Sequence, residues 1–170
     1  MTQTQQGHRT RTYSWEDPAL HARKIGGASG LELLQRMAAG ELPAPPVTRL
    51  IDMSGMEVEE GRVTVFCEPQ EFHYNPLGSV HGGVLSTLLD TAAACSVHST
   101  LPAGVGYTSL DLNVKFLRAV TVDSGRLRCE GSVLQRGRRT ALAEARMTDG
   151  RGRLVAHATS SCLIFDLPAA

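Results

Sequence analysis

The sequence lacks net charge: seventeen basic residues balance seventeen acidic ones, and neither sign forms a long block. Such a chain is not built to find nucleic acid by long-range attraction, although a local basic patch is still allowed. It has no apolar run near the ~18 residues that a membrane-spanning helix requires. The stretch Met1 to Arg11 is polar and lacks the apolar centre of a secretory signal. These absences predict a cytoplasmic protein with neither a membrane nor a nucleic acid as partner. There is also no CxxC pair. Cys67, Cys95, Cys129 and Cys162 are about thirty residues apart, each inside an apolar-patterned segment. That pattern favours buried free thiols over disulfides. A zinc site of Cys67, His73 and His81 is possible on composition, but the spacing gives it no support, so no metal is expected.

What is present reads as one domain with an upstream extension. Residues 1–28 are polar and are expected to pack loosely, with Tyr13 and Trp15 as candidates to dock on the body of the fold. Ser29-Gly-Leu-Glu32 is a capping-box pattern, Leu31, Leu34, Met37 and Ala38 form one helical stripe, and Gly40 stops the helix. Leu42-Pro-Ala-Pro-Pro46 then reads as a stiff linker. Extended segments follow over 48–58 and 62–68, and after a turn-rich loop a helix runs from about Gly82 to Thr100. Its interior holds nothing larger than leucine before His98, so it is expected to be buried on nearly all sides. Ser109–Leu117 alternates strictly, with Leu110, Leu112, Val114 and Phe116 on one face. Turns at 124–125, 136–138 and 149–152 divide the rest into strands of an antiparallel meander. An α+β fold in which the sheet curls around one central helix is the economical way to bury that helix.

The chemistry concentrates in Asn75-Pro-Leu-Gly78-Ser-Val-His81-Gly82-Gly83, followed on the helix by Asp90. A bare glycine N–H at a helix start can hydrogen-bond a carbonyl oxygen, and the helix dipole favours the negative charge that develops there. Gly82 is the candidate donor. Equally, Gly82 and Gly83 could serve only to let the helix pack closely. Asp90 sits among Leu88, Leu89, Thr91 and Ala92, where a carboxylate without a task would be costly. It is the candidate nucleophile or general base. Gly82 and Asp90 are eight residues apart, roughly 12 Å along a helix, against the ~3 Å between reacting atoms. One helix cannot readily aim both groups at one carbonyl, whereas two antiparallel copies could. That geometry predicts a site shared across a homodimer.

The NPxGxxHGG motif with its helical Asp, set in this element order, resembles the hotdog fold. More narrowly, it is similar to the phenylacetate-pathway (PaaI-type) acyl-CoA thioesterases. The likeness runs from about Pro46 to Asp166, with 46–170 as the hotdog domain and 1–45 as an N-terminal extension carrying the short extra helix. Tyr107-Thr-Ser109-Leu-Asp-Leu-Asn-Val-Lys-Phe-Leu-Arg118 matches the family's strand after the helix. The resemblance implies hydrolysis of an acyl-CoA thioester by water, with no cofactor beyond the coenzyme A of the substrate. It also implies a homodimer, often paired into a dimer of dimers. It makes Asp90 catalytic and gives Asn75 a role on the thioester oxygen or the attacking water; the alternative for Asn75 is a turn before Pro76.

Ser109 matches a family Ser or Thr that holds the water or the carboxylate, and could equally be an ordinary strand-edge hydroxyl. His81 is assigned to orienting Gly82 rather than to base catalysis. Arg118, Arg138 and Arg139 are candidates for the phosphates of coenzyme A, because guanidinium groups pair with phosphate; each alone could be a plain surface charge. Gly83 is grouped with them as substrate-binding. His73, His98 and His157 have no evident partner. Two rival functions share the fold: a non-catalytic acyl-CoA-binding or sensor module, which Asp90 argues against, and a dehydratase, which His81 followed by two glycines fits poorly.

Overall fold

A helix made of alanine, serine, threonine and leucine can lie closer to a sheet than a bulkier one, and this close approach organises the molecule. The computed structural model describes residues 7–18 and 27–168. The chain runs α1 (Gly30–Ala38), α2 (Pro46–Leu50), β1 (Met53–Glu59), β2 (Arg62–Cys67), α3 (Gly82–His98), β3 (Val105–Ser109), β4 (Asn113–Phe116), β5 (Leu127–Arg136), β6 (Thr140–Thr148) and β7 (Leu154–Asp166). The strands form one antiparallel sheet in the order β1-β2-β5-β6-β7, and β3 and β4 pair in succession with the free edge of β7. A sheet wrapped around one helix is the hotdog arrangement expected above. No helix among the described residues is long and apolar enough to cross a membrane.

Helix α3 sets Leu85, Leu88, Leu89, Ala92, Ala93 and Val97 against the inner face of the sheet, in one continuous core. That inner face is lined by small residues on β6 and β7: Ala143, Ala145, Ala156 and Ala158 are fully buried. On β5, Gly131 has no room for a side chain, because a methyl there would run into the Ala92 carbonyl. Gly30 of α1 stands in the same relation to the His98 carbonyl at the other end of α3. Three hydroxyls of the slim helix are satisfied within it. Thr87, Thr91 and Ser96 donate back to the carbonyls of Gly83, Thr87 and Ala93. The helix is not buried on every side, however: Gly82, Asp90, Thr91 and Cys95 are only partly covered. All four cysteines are free thiols.

The strand after α3 departs from strict alternation. β3 pairs Ser109 with Cys162, and β4 pairs Phe116 with Ala156, so the register slips by one residue across Leu110–Leu112. The Asp111 side chain and carbonyl occupy the gap, accepting from Ser161 N–H at 3.0 Å and Ser160 Oγ at 2.7 Å. Seven residues apart, Ser109 and Phe116 would face opposite ways in an unbroken strand; the bulge turns both toward α3. Leu110 is left exposed. Other expectations also shift. Residues 46–50 are helical rather than extended, since Pro46 occupies the helix start and Thr48 Oγ donates to the Pro45 carbonyl at 2.7 Å. In α1, Ser29 caps as expected, but the buried positions are Gly30, Leu33 and Leu34, and Ala38 faces solvent. Tyr13 and Trp15 stay exposed against each other, and it is Arg11 that docks the N-terminal segment. Expectations for residues 1–6 and 19–26 lie outside the described residues.

The loop before α3 is anchored by His73, which is buried and satisfied at both ring nitrogens. Its Nδ1 accepts from Gln70 N–H at 3.0 Å, so Nε2 carries the proton and donates to the Ile51 carbonyl at 3.0 Å. Burial pushes the His73 pKa below its ordinary value, outweighing the opposing hydrogen bond to Ile51. Two outcomes follow. Gly131→Ala should cost about 2–3 kcal/mol or more of unfolding free energy, read from urea denaturation, because backbone rather than a flexible side chain must yield. A histidine with a lowered folded pKa binds its proton more readily when unfolded, so its contribution is complete above pH 6.5 and is lost as pH falls below it. The urea midpoint should therefore drop between pH 7.5 and lower pH, and His73→Gln should flatten that slope.

Candidate active site

His81 is the N-cap of α3, with extended backbone (φ −61°, ψ 136°). Its Nδ1 accepts the Gly83 N–H at 2.9 Å, and its carbonyl takes the N–H groups of Val84 and Leu85. Its own N–H donates to the His73 carbonyl at 2.8 Å. One donor of the first turn is left over: among the described residues, the Gly82 N–H meets no acceptor. The Phe116 ring lies over this glycine, so close that a Cβ on residue 82 would stand 3.0 Å from it. Gly82, Asn75, Leu85, Phe116 and Arg118 line one open cavity of about 360 Å³. Gly83 differs from Gly82 in that its N–H is already taken by His81.

Asn75 turns its amide onto its own loop. Its Oδ1 accepts from Leu77 N–H at 2.9 Å and from Ser79 N–H at 3.3 Å, and its Nδ2 donates to Ser79 Oγ at 3.2 Å. In this arrangement it shapes the turn that leads to Gly82, at the edge of the cavity. Arg118 reaches the same cavity, with Nη1 donating to the Leu154 carbonyl at 2.6 Å. Arg138 and Arg139 instead line a separate cavity with Arg136 and Phe165. One protomer does not bring the arginines together.

Two turns along α3, Asp90 is half-buried and Oδ1 accepts the Ser109 hydroxyl at 2.9 Å. Ser109 thus holds one carboxylate oxygen of Asp90. Around it lie Cys95, Tyr107 and Cys162, residues that the sequence reading did not single out. Burial raises the Cys95 thiol to about 12, with a smaller opposing effect from its hydrogen bond to Tyr107 and a further push from the Asp90 charge. Burial likewise raises Tyr107, beside Cys95, well above the ordinary phenol value, and raises Cys162. All three stay protonated at neutral pH. Tyr107 lies two residues before Ser109 on the same strand face, and that period-2 relation was the signal available for it.

Two further histidines have structural partners: His157 pairs with Glu144 at 3.1 Å, and His98 packs against Tyr107 with ring centroids 5.0 Å apart. Among the described residues, no three His, Cys, Asp or Glu side chains gather in a way that could hold a metal ion. Cys67, His73 and His81 do not do so either: both His73 nitrogens are engaged, and the Cys67 thiol is raised to about 11, chiefly by burial.

The thioesterase superfamily family model matches residues 77–156, the stretch from the glycine loop to β7. A phenylacetic acid degradation-related protein of Ralstonia eutropha JMP134, described as a proposed thioesterase, is 31% identical. Its structure covers 76% of this chain and 97% of its own, with a TM-score of 0.68. The E. coli PaaI protein from the phenylacetic acid degradation operon, at 20% identity, shares the fold, covering 82% of this chain and 96% of its own with a TM-score of 0.69. A proposed esterase of Halobacterium salinarum is 41% identical over 69 residues, which are 39% of this chain and 44% of that protein. The match therefore spans less than half the length of that curated relative. With the fold, the glycine-led helix and these likenesses in agreement, the chain belongs to the thioesterase superfamily, a family of hotdog-fold thioester hydrolases.

Proposed function

We propose that this protein hydrolyses an acyl-CoA thioester to the free acid and coenzyme A, in the cytoplasm and without a cofactor. The observation that carries this reading is the unpaired Gly82 N–H at the start of α3, on the same helix as an Asp90 carboxylate held by Ser109. Bound at Gly82, the thioester carbonyl would gain a donor aimed at its developing oxyanion, reinforced by the helix dipole. Asp90 either attacks the carbonyl carbon, giving an acyl-Asp90 anhydride that water then cleaves to the free acid, or takes a proton from a water that attacks directly; in both routes coenzyme A leaves as its thiolate. Asn75 frames the mouth of the site beside Gly82. Arg118, Arg138 and Arg139 supply cations for the phosphates of coenzyme A.

Both reacting groups lie on one helix roughly 12 Å apart, so the site needs the Gly82 of one protomer and the Asp90 of another. The outer side of β3 and β4 supports this reading, because it is an unpaired sheet edge flanked by the exposed Leu110, Phe116 and Leu117. Such an edge invites a second copy, and antiparallel pairing about a twofold axis would carry Asp90 toward the partner's glycine. A dimer of dimers is the larger assembly this reading allows.

Release of free thiol from a panel of acyl-CoA substrates tests the activity. Asp90→Asn should lower kcat by about 10³-fold or more, and Ser109→Ala by about tenfold, with the fold retained by circular dichroism. Measured against Gly82→Ala, which keeps the N–H but sets a Cβ 3.0 Å from the Phe116 ring, Gly82→Pro isolates loss of the donor at a first helical position that proline suits. It should cost about 10²–10³ in kcat. Equal rates for wild type and Asp90→Asn would count against the catalytic assignment of Asp90, and no thiol release by wild type would favour a binding module. Refolding Asp90→Asn together with Gly82→Pro should restore about a quarter of wild-type activity, because half the dimers are mixed and each carries one intact site. No recovery in verified mixed dimers would exclude the shared site.

A further inference from the structure

The segment before α1 lies outside the residues matched by the thioesterase family, yet it touches the loop that presents Gly82. Its attachment is concentrated in one side chain. Arg11 donates from Nη1 to the Leu50 carbonyl at 2.6 Å and from Nη2 to the Arg49 carbonyl at 2.8 Å, closing off the end of α2. It stands 3.6 Å from the Asp52 carboxylate. Its guanidinium also lies 3.9 Å from the centroid of the Phe72 ring, within cation–π range. Arg9 adds an exposed ion pair to Glu71 at 2.6 Å. The segment therefore grips two neighbouring residues of the short turn Glu71–His73 as well as the end of α2.

Those two places are already coupled through His73, whose Nε2–H reaches the Ile51 carbonyl and whose own carbonyl receives the His81 N–H. His81 in turn caps α3 and leaves Gly82 as the free donor. A continuous path thus runs from Arg11 through Phe72 and His73 to the helix start. We propose that Arg11 is a positioning residue: the N-terminal segment is a brace that holds the 70–81 loop and so sets the aim of the Gly82 N–H. The planar guanidinium suits this task, because it bonds two carbonyls at its edge while its face rests on an aromatic ring; an ammonium cannot do both. The inference rests on the role proposed for Gly82, since an oxyanion donor displaced by a fraction of an ångström loses much of its effect.

The test uses the full chain with Arg11→Ala, Arg11→Lys and Phe72→Leu. Hydrogen–deuterium exchange of peptides covering residues 70–85 is measured beside acyl-CoA hydrolysis. In Arg11→Ala, exchange over 70–85 should accelerate while the β5–β7 peptides stay as in wild type. Its kcat should fall by about tenfold with KM within about twofold, and Arg11→Lys should lie between the two. A folded Arg11→Ala with unchanged exchange over 70–85 overturns the brace. So does one with faster exchange but wild-type kcat. If wild type hydrolyses no acyl-CoA, the catalytic reading fails, and the exchange comparison still decides whether the segment braces the loop. Should Arg11→Ala not fold, Arg11→Lys and Phe72→Leu decide by the same exchange measurement.

Discussion

The structure depends on how closely α3 can approach the sheet. Where β5 passes beneath the middle of the helix, Gly131 brings strand backbone against the Ala92 carbonyl, and buried alanines on β6 and β7 continue the same close surface. Dispersion falls off steeply with distance, so a slim interface of this kind gains many short contacts and admits no side chain that would hold the layers apart. With the helix seated here, the positions of Gly82 and Asp90 are set. Gly82 emerges at one end under Phe116, and Asp90 points from the middle toward Ser109.

The edge strand completes the site by breaking its own rule. Alternation would send Ser109 and Phe116 to opposite faces, and the slip at Leu110–Leu112 brings both onto the helix side. One hydroxyl then orients a carboxylate, and one ring covers a glycine, at two points along the same antiparallel strand–helix contact. The distance between those points is a property of helix geometry and cannot be closed within a protomer. The division of labour between two copies proposed above answers that constraint. Cys95, Tyr107 and Cys162, all kept protonated chiefly by burial, surround Asp90.

Much of this was legible beforehand, for reasons that can be named. The slim helix, its glycine start and the helical Asp90 are local features, and local periodicity reports burial directly. The β5–β7 meander followed from turn residues at hairpin spacing. What stayed open had two sources: partners far away in the chain, and local alternatives that residue type alone does not choose between. Proline at 46 could end a linker or begin a helix, and Thr48 with the Pro45 carbonyl decided for the helix. His73 seemed unpartnered because its acceptor, Ile51, lies 22 residues earlier. Asn75 satisfied its own turn, an alternative visible from the start but not decidable from residue type. Arg138 and Arg139 proved to lie in a different cavity from Arg118, since turns at opposite ends of β7 are far apart in space.

Sequence alone determined the composition of the helix, its glycine start, the place of Asp90 on it, and the roughly 12 Å that separates Gly82 from Asp90 along one helix, because each follows from residue type and the helical rise. Only the folded molecule decided which first-turn N–H stays free, which hydroxyl holds Asp90, and which ring covers Gly82. Those outcomes depend on register, on one bulge, and on backbone approaching backbone at Gly131, where non-local packing outweighs local preference.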